Sequence, residues 1–69
     1  MPITLAPLGE TIRIKKIRGN EESLQFLHRL GCLEGEEVVV VSKLAGNIIL
    51  NIKGTRIALD KNMANRIMV

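Results

Sequence analysis

The sequence contains almost no aromatic residues: Phe26 is the single phenylalanine among 69 residues, and tryptophan and tyrosine are absent. Proteins that bind single-stranded nucleic acid stack bases on aromatic side chains, so this composition argues against that class. Ten lysines and arginines against seven acidic residues give a net charge of only +3, short of the basic signature of nucleic-acid-binding domains. We therefore expect no nucleic-acid partner and keep a small basic nucleic-acid-binding barrel only as a third hypothesis.

Cysteine and long apolar runs are also scarce. The one cysteine, Cys32, cannot form an internal disulfide, which indicates a reducing compartment. The longest aliphatic runs, residues 38–41 and 48–50, are far shorter than the roughly 20 residues of a transmembrane helix. The first residues also lack the basic and apolar regions of a signal peptide. We expect a cytoplasmic protein that is not inserted in a membrane.

Aliphatic residues, in contrast, are abundant: isoleucine, leucine and valine together number 23. A chain of this length corresponds to one domain, which we place at residues 1–69. Because the aliphatic residues include many β-branched ones, the composition favours a sheet-based core.

One helix is predicted between Asn20 and Gly31. Asn20 is a suitable N-cap, and two glutamates follow it in the first turn, where negative charge stabilises a helix. Leucines at 24, 27 and 30 form an apolar stripe, and Gly31 stands where a helix ends in the left-handed conformation. Leu33 is expected to fold back as the apolar contact after this cap.

Five segments have the alternation or the β-branched composition of strands: residues 11–17, 36–43, 47–53, 55–59 and 66–69. The first shows a phase slip near Lys16 that predicts a bulge or a strand end. Short turns at 45–47 and 53–54 predict two hairpins, so residues 38–41 and 48–52 should pair antiparallel. Asp60 can cap one short helical turn before the last strand.

Short strands joined by tight turns cannot form two complete sheets, whereas curling into a barrel removes most free edges. The predicted fold is mainly β: a small five-stranded barrel with one helix inserted after the first long strand. Residues 1–9 are expected to form a short edge segment with a turn at 7–9.

Three segments resemble one known family: LHRLGCLEGEEVVVV at residues 27–41, GNIILNIKGTRIAL at 46–59 and ANRIMV at 64–69. They are similar to the FeoA family of small cytosolic proteins, which have an SH3-like barrel and are encoded with the ferrous-iron transporter FeoB. The barrel also resembles the carboxy-terminal domain of metal-dependent repressors of the diphtheria-toxin-repressor type. The resemblance implies an SH3-like fold, FeoB as the partner and a link to transition metals.

His28 and Cys32 are the two weak metal-ligand candidates, because imidazole and thiolate suit a transition metal. A closed zinc site generally needs four ligands, and Gly31 interrupts the helix between these two residues. We expect no metal site and no tightly bound cofactor, leaving at most weak binding of ferrous iron or another transition metal. Cys32 is expected to be a buried apolar residue.

A partner-binding surface is predicted on the helix. Phe26 lies one position off the leucine stripe, so it either widens the core or serves as an exposed aromatic anchor. Arg29 lies one turn further along, and Arg13 and Lys15 in the first strand could add a basic rim. The alternative for these two charges is a solvated strand face that protects an edge against aggregation.

Two functional hypotheses follow. The first is a non-catalytic interaction module of ferrous-iron uptake, a monomer or weak oligomer that binds and modulates the cytosolic part of FeoB. The second is a transition-metal-binding or metal-responsive regulatory domain related to the repressor barrel. No nucleophile stands beside a base in the sequence and no close carboxylate pair occurs, so we predict that the protein is not an enzyme.

Overall fold

The structure is a computed structural model that describes residues 1–69. It contains six strands, two helices and one short 3-10 turn, with these bounds in chain order: the 3-10 turn Ile3–Leu5, β1 Thr11–Arg13, β2 Lys16–Ile17, α1 Glu21–Arg29, β3 Glu37–Leu44, β4 Asn47–Ile52, β5 Thr55–Leu59, α2 Lys61–Ala64 and β6 Ile67–Met68. The prediction of a mainly β fold is confirmed.

Helix α1 begins and ends where the capping residues predict. The side chain of Asn20 accepts a hydrogen bond from the Ser23 amide at 2.8 Å. At the other end Gly31 adopts φ +97°, and the amides of Gly31 and Cys32 donate to the carbonyls of His28 and Leu27. This is the Schellman arrangement, in which a left-handed residue turns the chain out of the helix. The residue that turns inward after it is Cys32, and the expectation for Leu33 is wrong, because Leu33 is 42% exposed.

Four strands form one antiparallel sheet in the order β1-β3-β4-β5. The predicted pairing of β3 with β4 is confirmed, with Val40 opposite Leu50 and a register shift between Val40 and Ser42. Both hairpin turns have two residues at positive φ, Ala45 and Gly46 in one and Lys53 and Gly54 in the other. Such two-residue turns match the twist of antiparallel strands.

The first predicted strand is interrupted, as the phase slip near Lys16 indicated, and the expectation of one long strand is corrected. Its residues divide between two sheets: β1 pairs with β3, whereas β2 pairs with β6 in a separate two-stranded sheet. The change occurs between Ile14, whose amide donates to Glu36, and Lys15, whose amide donates to Met68. The predicted five strands therefore become six segments, and the kink lets one stretch of chain join both sheets.

The core is aliphatic, as the composition predicts. Ile48, Leu50 and Ile52 of β4 point into it, as do Val38 and Val40 of β3. It comprises 15 buried residues: Ile3, Ala6, Ile14, Ile17, Leu27, Cys32, Val38, Val40, Ile48, Leu50, Ile52, Leu59, Ala64, Ile67 and Val69.

The first residues form a 3-10 turn where the sequence suggested an edge segment. Ile3 is fully buried, but Leu5 is 67% exposed, because the turn takes it away from the core. The backbone of Met1 pairs with that of Val69, and Pro2 bridges to Met68. The first and last residues of the chain therefore lie side by side next to β6. Neither α1 nor α2 has the length and apolarity needed to span a membrane.

Candidate functional site: a cleft beside helix α1

A cleft of about 340 Å³ lies between α1 and the segment that includes α2 and the start of β6. Its lining residues are Asn20, Glu22, Ser23, Phe26, Arg29, Asn62, Met63 and Arg66. Two N-caps fix where the helices on either side of the cleft begin. Asn20 caps α1, and Asp60 caps α2 by accepting a hydrogen bond from the Met63 amide at 2.8 Å. The cleft thus combines one aromatic, one thioether, two guanidinium groups and one carboxylate.

Phe26 contributes the aromatic surface of this cleft. It is 40% exposed and is not among the buried or half-buried residues that form or pack against the core. The interpretation in which Phe26 widens the core is therefore wrong. The helix buries Leu27 instead, with Leu24 and Leu30 half-buried beside it, so Phe26 is left at the surface.

Arg29 stands three residues after Phe26 and lines the same cleft. Residues three apart on a helix are neighbours on its surface, which is why the two come together. The ion pairs of the protein are Arg13–Glu37 and Lys53–Glu36, so Arg29 is not engaged by a carboxylate. Its guanidinium is available to a group that enters the cleft.

Arg13 and Lys15 do not line the cleft, although both are exposed. Arg13 is partly engaged: one nitrogen donates to the Gly35 carbonyl at 2.8 Å and another lies 3.5 Å from a Glu37 carboxylate oxygen. Lys15 follows the kink between the two sheets. The four predicted surface residues thus separate into the pair Phe26 and Arg29 within the cleft and two charges outside it.

Sequence reasoning missed Arg66 and Met63, which form the opposite wall. They reach α1 because β2 and β6 pair, with Ile17 opposite Ile67, and because the Arg18 amide donates to the Arg66 carbonyl at 2.7 Å. The one available signal was Gly19. A glycine immediately before an N-cap is typical of a positive φ or of a close approach by another group to the backbone.

The two metal-ligand candidates lie in different environments. Cys32 is completely buried, and burial raises the pKa of its thiol to about 11. A thiol binds metal as the thiolate, so this environment opposes coordination at neutral pH. His28 is exposed on α1, and no group of three or more histidine, cysteine, aspartate and glutamate side chains comes together in the chain.

The expectation that these residues hold no metal site stays a prediction. Replacement of Cys32 by serine should leave the affinity for ferrous iron or zinc unchanged within about threefold, because too few ligands converge. Anaerobic calorimetry measures it, with His28→Ala as the companion variant. Tight one-to-one binding that disappears in either variant would show that the two residues are ligands.

A second concave surface lies across β3, β4 and the end of β5, with a volume of about 380 Å³. It is lined by Ser42, Leu44, Asn47, Ile48, Ile49, Ala58, Leu59 and Asp60. The only charged residue here is Asp60, which caps α2. This groove is mainly apolar and offers little to orient a ligand. We favour the cleft beside α1, where apolar surface and unpaired charge occur together.

The chain is similar to proteins of ferrous-iron transport. A family model described as the FeoA domain matches residues 1–69. The protein named Fe(2+) transport protein A of Methanocaldococcus jannaschii is 32% identical over 68 residues, covering 99% of this chain and 83% of that protein.

Solved structures agree in fold. An iron uptake regulatory protein, FeoA, superposes with a TM-score of 0.88 at 29% identity, covering 99% of this chain and 90% of the other. FeoA of Stenotrophomonas maltophilia, a procaryotic SH3-domain protein complexed with zinc, superposes with a TM-score of 0.83 at 27% identity, covering 100% and 88%. The prediction of an SH3-like fold is therefore confirmed.

The resemblance to repressor domains is a likeness of fold. A manganese-dependent transcriptional repressor superposes with a TM-score of 0.87 at 18% identity, covering 97% of this chain but only 39% of the repressor. The shared part is the small barrel, so the regulatory activity of the whole repressor does not follow from it.

Proposed function

Because the chain belongs to the FeoA domain family, we propose that it is a non-catalytic interaction module of ferrous-iron uptake. In this role it binds the cytosolic region of the ferrous-iron transporter FeoB and modulates uptake. Family membership supports the connection to ferrous-iron transport. The identification of FeoB as the partner rests on the resemblance together with a surface suited to protein recognition.

The observation that carries the proposal is that Phe26 and Arg29 both line the cleft beside α1. Exposed aromatic residues and arginines are enriched at the centres of protein interfaces, where they supply most of the binding energy. Phe26 is 40% exposed although it is the only aromatic residue of the chain. Arg13 and Lys15, outside the cleft, are proposed to act as a basic rim that assists association.

A comparison protein supports a modulating role. The zinc-bound FeoA of Stenotrophomonas maltophilia is described as a candidate activating factor for bacterial ferrous-iron transport. A cytoplasmic location and a monomeric or weakly oligomeric state, both expected from the sequence, are part of the same proposal.

The zinc complex of that relative also favours a second candidate, a transition-metal-binding regulatory domain. The Cys32→Ser and His28→Ala titrations described above test it. If metal binding changed the affinity for FeoB, both candidate functions would apply to the protein, because a metal can act as an effector of a docking surface.

Arg29→Glu tests the docking surface. The variant should bind the cytosolic domain of FeoB more weakly while its melting temperature stays close to that of the wild type, because an exposed charge contributes to association more than to stability. A pull-down at two salt concentrations, with thermal unfolding of each variant, measures both quantities.

Arg56→Glu is the matched control, since Arg56 is an exposed arginine of β5 outside the cleft. It makes the same change in net charge and should bind like the wild type. The double variant Arg13→Glu/Lys15→Glu should reduce the rate of association and its salt dependence. If both Arg29→Glu and this double variant bind FeoB like the wild type, the proposed surface is wrong, but FeoB is not excluded as the partner.

A further inference from the structure

Arg66 is anchored in the wall of the cleft by its backbone, and its guanidinium lies against Gly19. Its amide donates to the Met63 carbonyl and its carbonyl accepts from the Arg18 amide, so the backbone is anchored where α2 passes into β6. A Cβ added to Gly19, which has φ +139°, would lie 2.6 Å from the Arg66 Nη1. The guanidinium therefore lies against the Gly19 backbone, and a side chain at that position would displace it.

The Nε of Arg66 is buried and has no hydrogen-bond partner. Buried donors are almost always paired, because an unpaired one costs free energy, so this guanidinium has a donor that the protein itself does not use. Neither Arg66 nor Arg29 belongs to either ion pair of the protein. Two guanidinium groups in one cleft are thus left without a carboxylate.

The charge of the cleft restricts what it can accept. Its charged residues are Glu22, Arg29 and Arg66, which leave one net positive charge. One positive charge matches a single carboxylate, whereas Glu22 would repel a doubly charged phosphate more strongly. Phe26 and Met63 supply apolar surface beside the two arginines, which suits a residue of a folded or extended peptide.

We propose that this cleft binds the carboxylate of an acidic side chain on a protein partner, with an apolar neighbour of that residue packed against Phe26 and Met63. Arg66 orients the carboxylate, since the planar guanidinium matches carboxylate geometry, and Arg29 adds the second positive charge. Gly19 is the residue that keeps the space for Arg66. The inference rests on the proposed role of the cleft as a docking surface and specifies the chemistry that it recognises.

The first test uses two capped peptides and the isotope-labelled protein. One peptide alternates leucine with glutamate, and the other has glutamine at each glutamate position. The glutamate peptide should shift the Nε–Hε signals of Arg66 and Arg29 and the amide signals of Phe26 and Met63. Its affinity should exceed that of the glutamine peptide by about tenfold, the loss expected for a charge-assisted hydrogen bond. Because the protein is identical in both titrations, the comparison does not depend on the folding of a variant.

Variants then assign the effect to Arg66. Arg66→Gln should weaken the affinity for the glutamate peptide by about tenfold, and Arg66→Lys should lose most of the affinity although it keeps the charge. Arg56→Gln, outside the cleft, should bind like the wild type. Equal affinity for the two peptides, or an Arg66→Gln variant that binds the glutamate peptide like the wild type, would overturn the proposal.

Two further probes distinguish other anions. Inorganic phosphate that shifts the same signals at equal or lower concentration would show a general anion site, and the carboxylate proposal would fail. Sedimentation with phosphatidylglycerol vesicles that is lost in Arg66→Gln, without any response to the peptides, would show a membrane contact instead.

A binding measurement with the FeoB cytosolic domain distinguishes a failure of this inference from a failure of the proposed function. If the domain binds the wild type and Arg66→Gln equally and the two peptides also bind with equal affinity, the carboxylate site is wrong and the proposed function stands. If the domain does not bind but the glutamate peptide binds selectively through Arg66, the site stands and the proposed partner is wrong.

Discussion

Replacement of Leu27 by alanine is expected to leave the protein substantially unfolded at 37 °C. Leu27 is completely buried, and it is the residue through which α1 enters the aliphatic core. Truncation of a buried leucine costs about 2–5 kcal/mol, since the lost apolar contacts leave a cavity. A domain of this size has only about 5 kcal/mol of total stability. Thermal unfolding followed by circular dichroism measures the loss.

Leu44→Ala is the matched control, because it makes the same deletion at a leucine that is 80% exposed. Its melting temperature should remain within a few degrees of the wild type, as expected for a surface substitution. Similar melting temperatures for Leu27→Ala and the wild type would mean that α1 contributes little to the core.

Raising the pH from 9 to 11 is expected to remove about 2 kcal/mol of stability through Cys32 alone. Burial raises the pKa of this thiol from 9.0 to about 11, so the folded protein holds the proton more tightly than the unfolded chain. The stabilisation is complete below the unfolded pKa, decreases as the unfolded chain ionises above pH 9 and is lost above the folded pKa near 11. Urea unfolding at a series of pH values measures the change.

Cys32→Ala isolates this contribution, because lysines titrate in the same pH range in both proteins. The difference in the free energy of unfolding between wild type and variant should be constant below about pH 8 and shift by about 2 kcal/mol in favour of the variant by pH 11. A difference that does not change with pH would show that the thiol is not shielded from water. The same protonated state should make Cys32 react slowly with thiol reagents at neutral pH, since the thiolate is the reactive form.

Features that depend on a few neighbouring residues were predictable from the chain. Asn20 and Gly31 define the ends of α1, because a cap needs only a side-chain acceptor at one end and a left-handed residue at the other. The turns before Asn47 and Thr55 define two hairpins for the same reason, and alternation then sends Ile48, Leu50 and Ile52 inward. The buried Cys32 follows from its place just after the helix stop, although the same reasoning misplaced Leu33.

Features that depend on pairing across the chain were not predictable. The phase slip near Lys16 indicated an interruption of the first strand. It did not indicate that Ile14 would bond to Glu36 and Lys15 to Met68, because no local pattern specifies the distant partner of each amide. Phe26 is exposed because α1 directs Leu27 into the core. Which face of the helix is buried depends on the shape of the sheets against which α1 packs.

The cleft depends on both kinds of information. Phe26 and Arg29 share a helix face, so their proximity is a property of the sequence. Arg66 joins them only because β2 pairs with β6 in one register, which places its guanidinium against Gly19. A shift of one residue would turn every side chain of a strand to the opposite face, so the wall opposite α1 exists only once the barrel has closed.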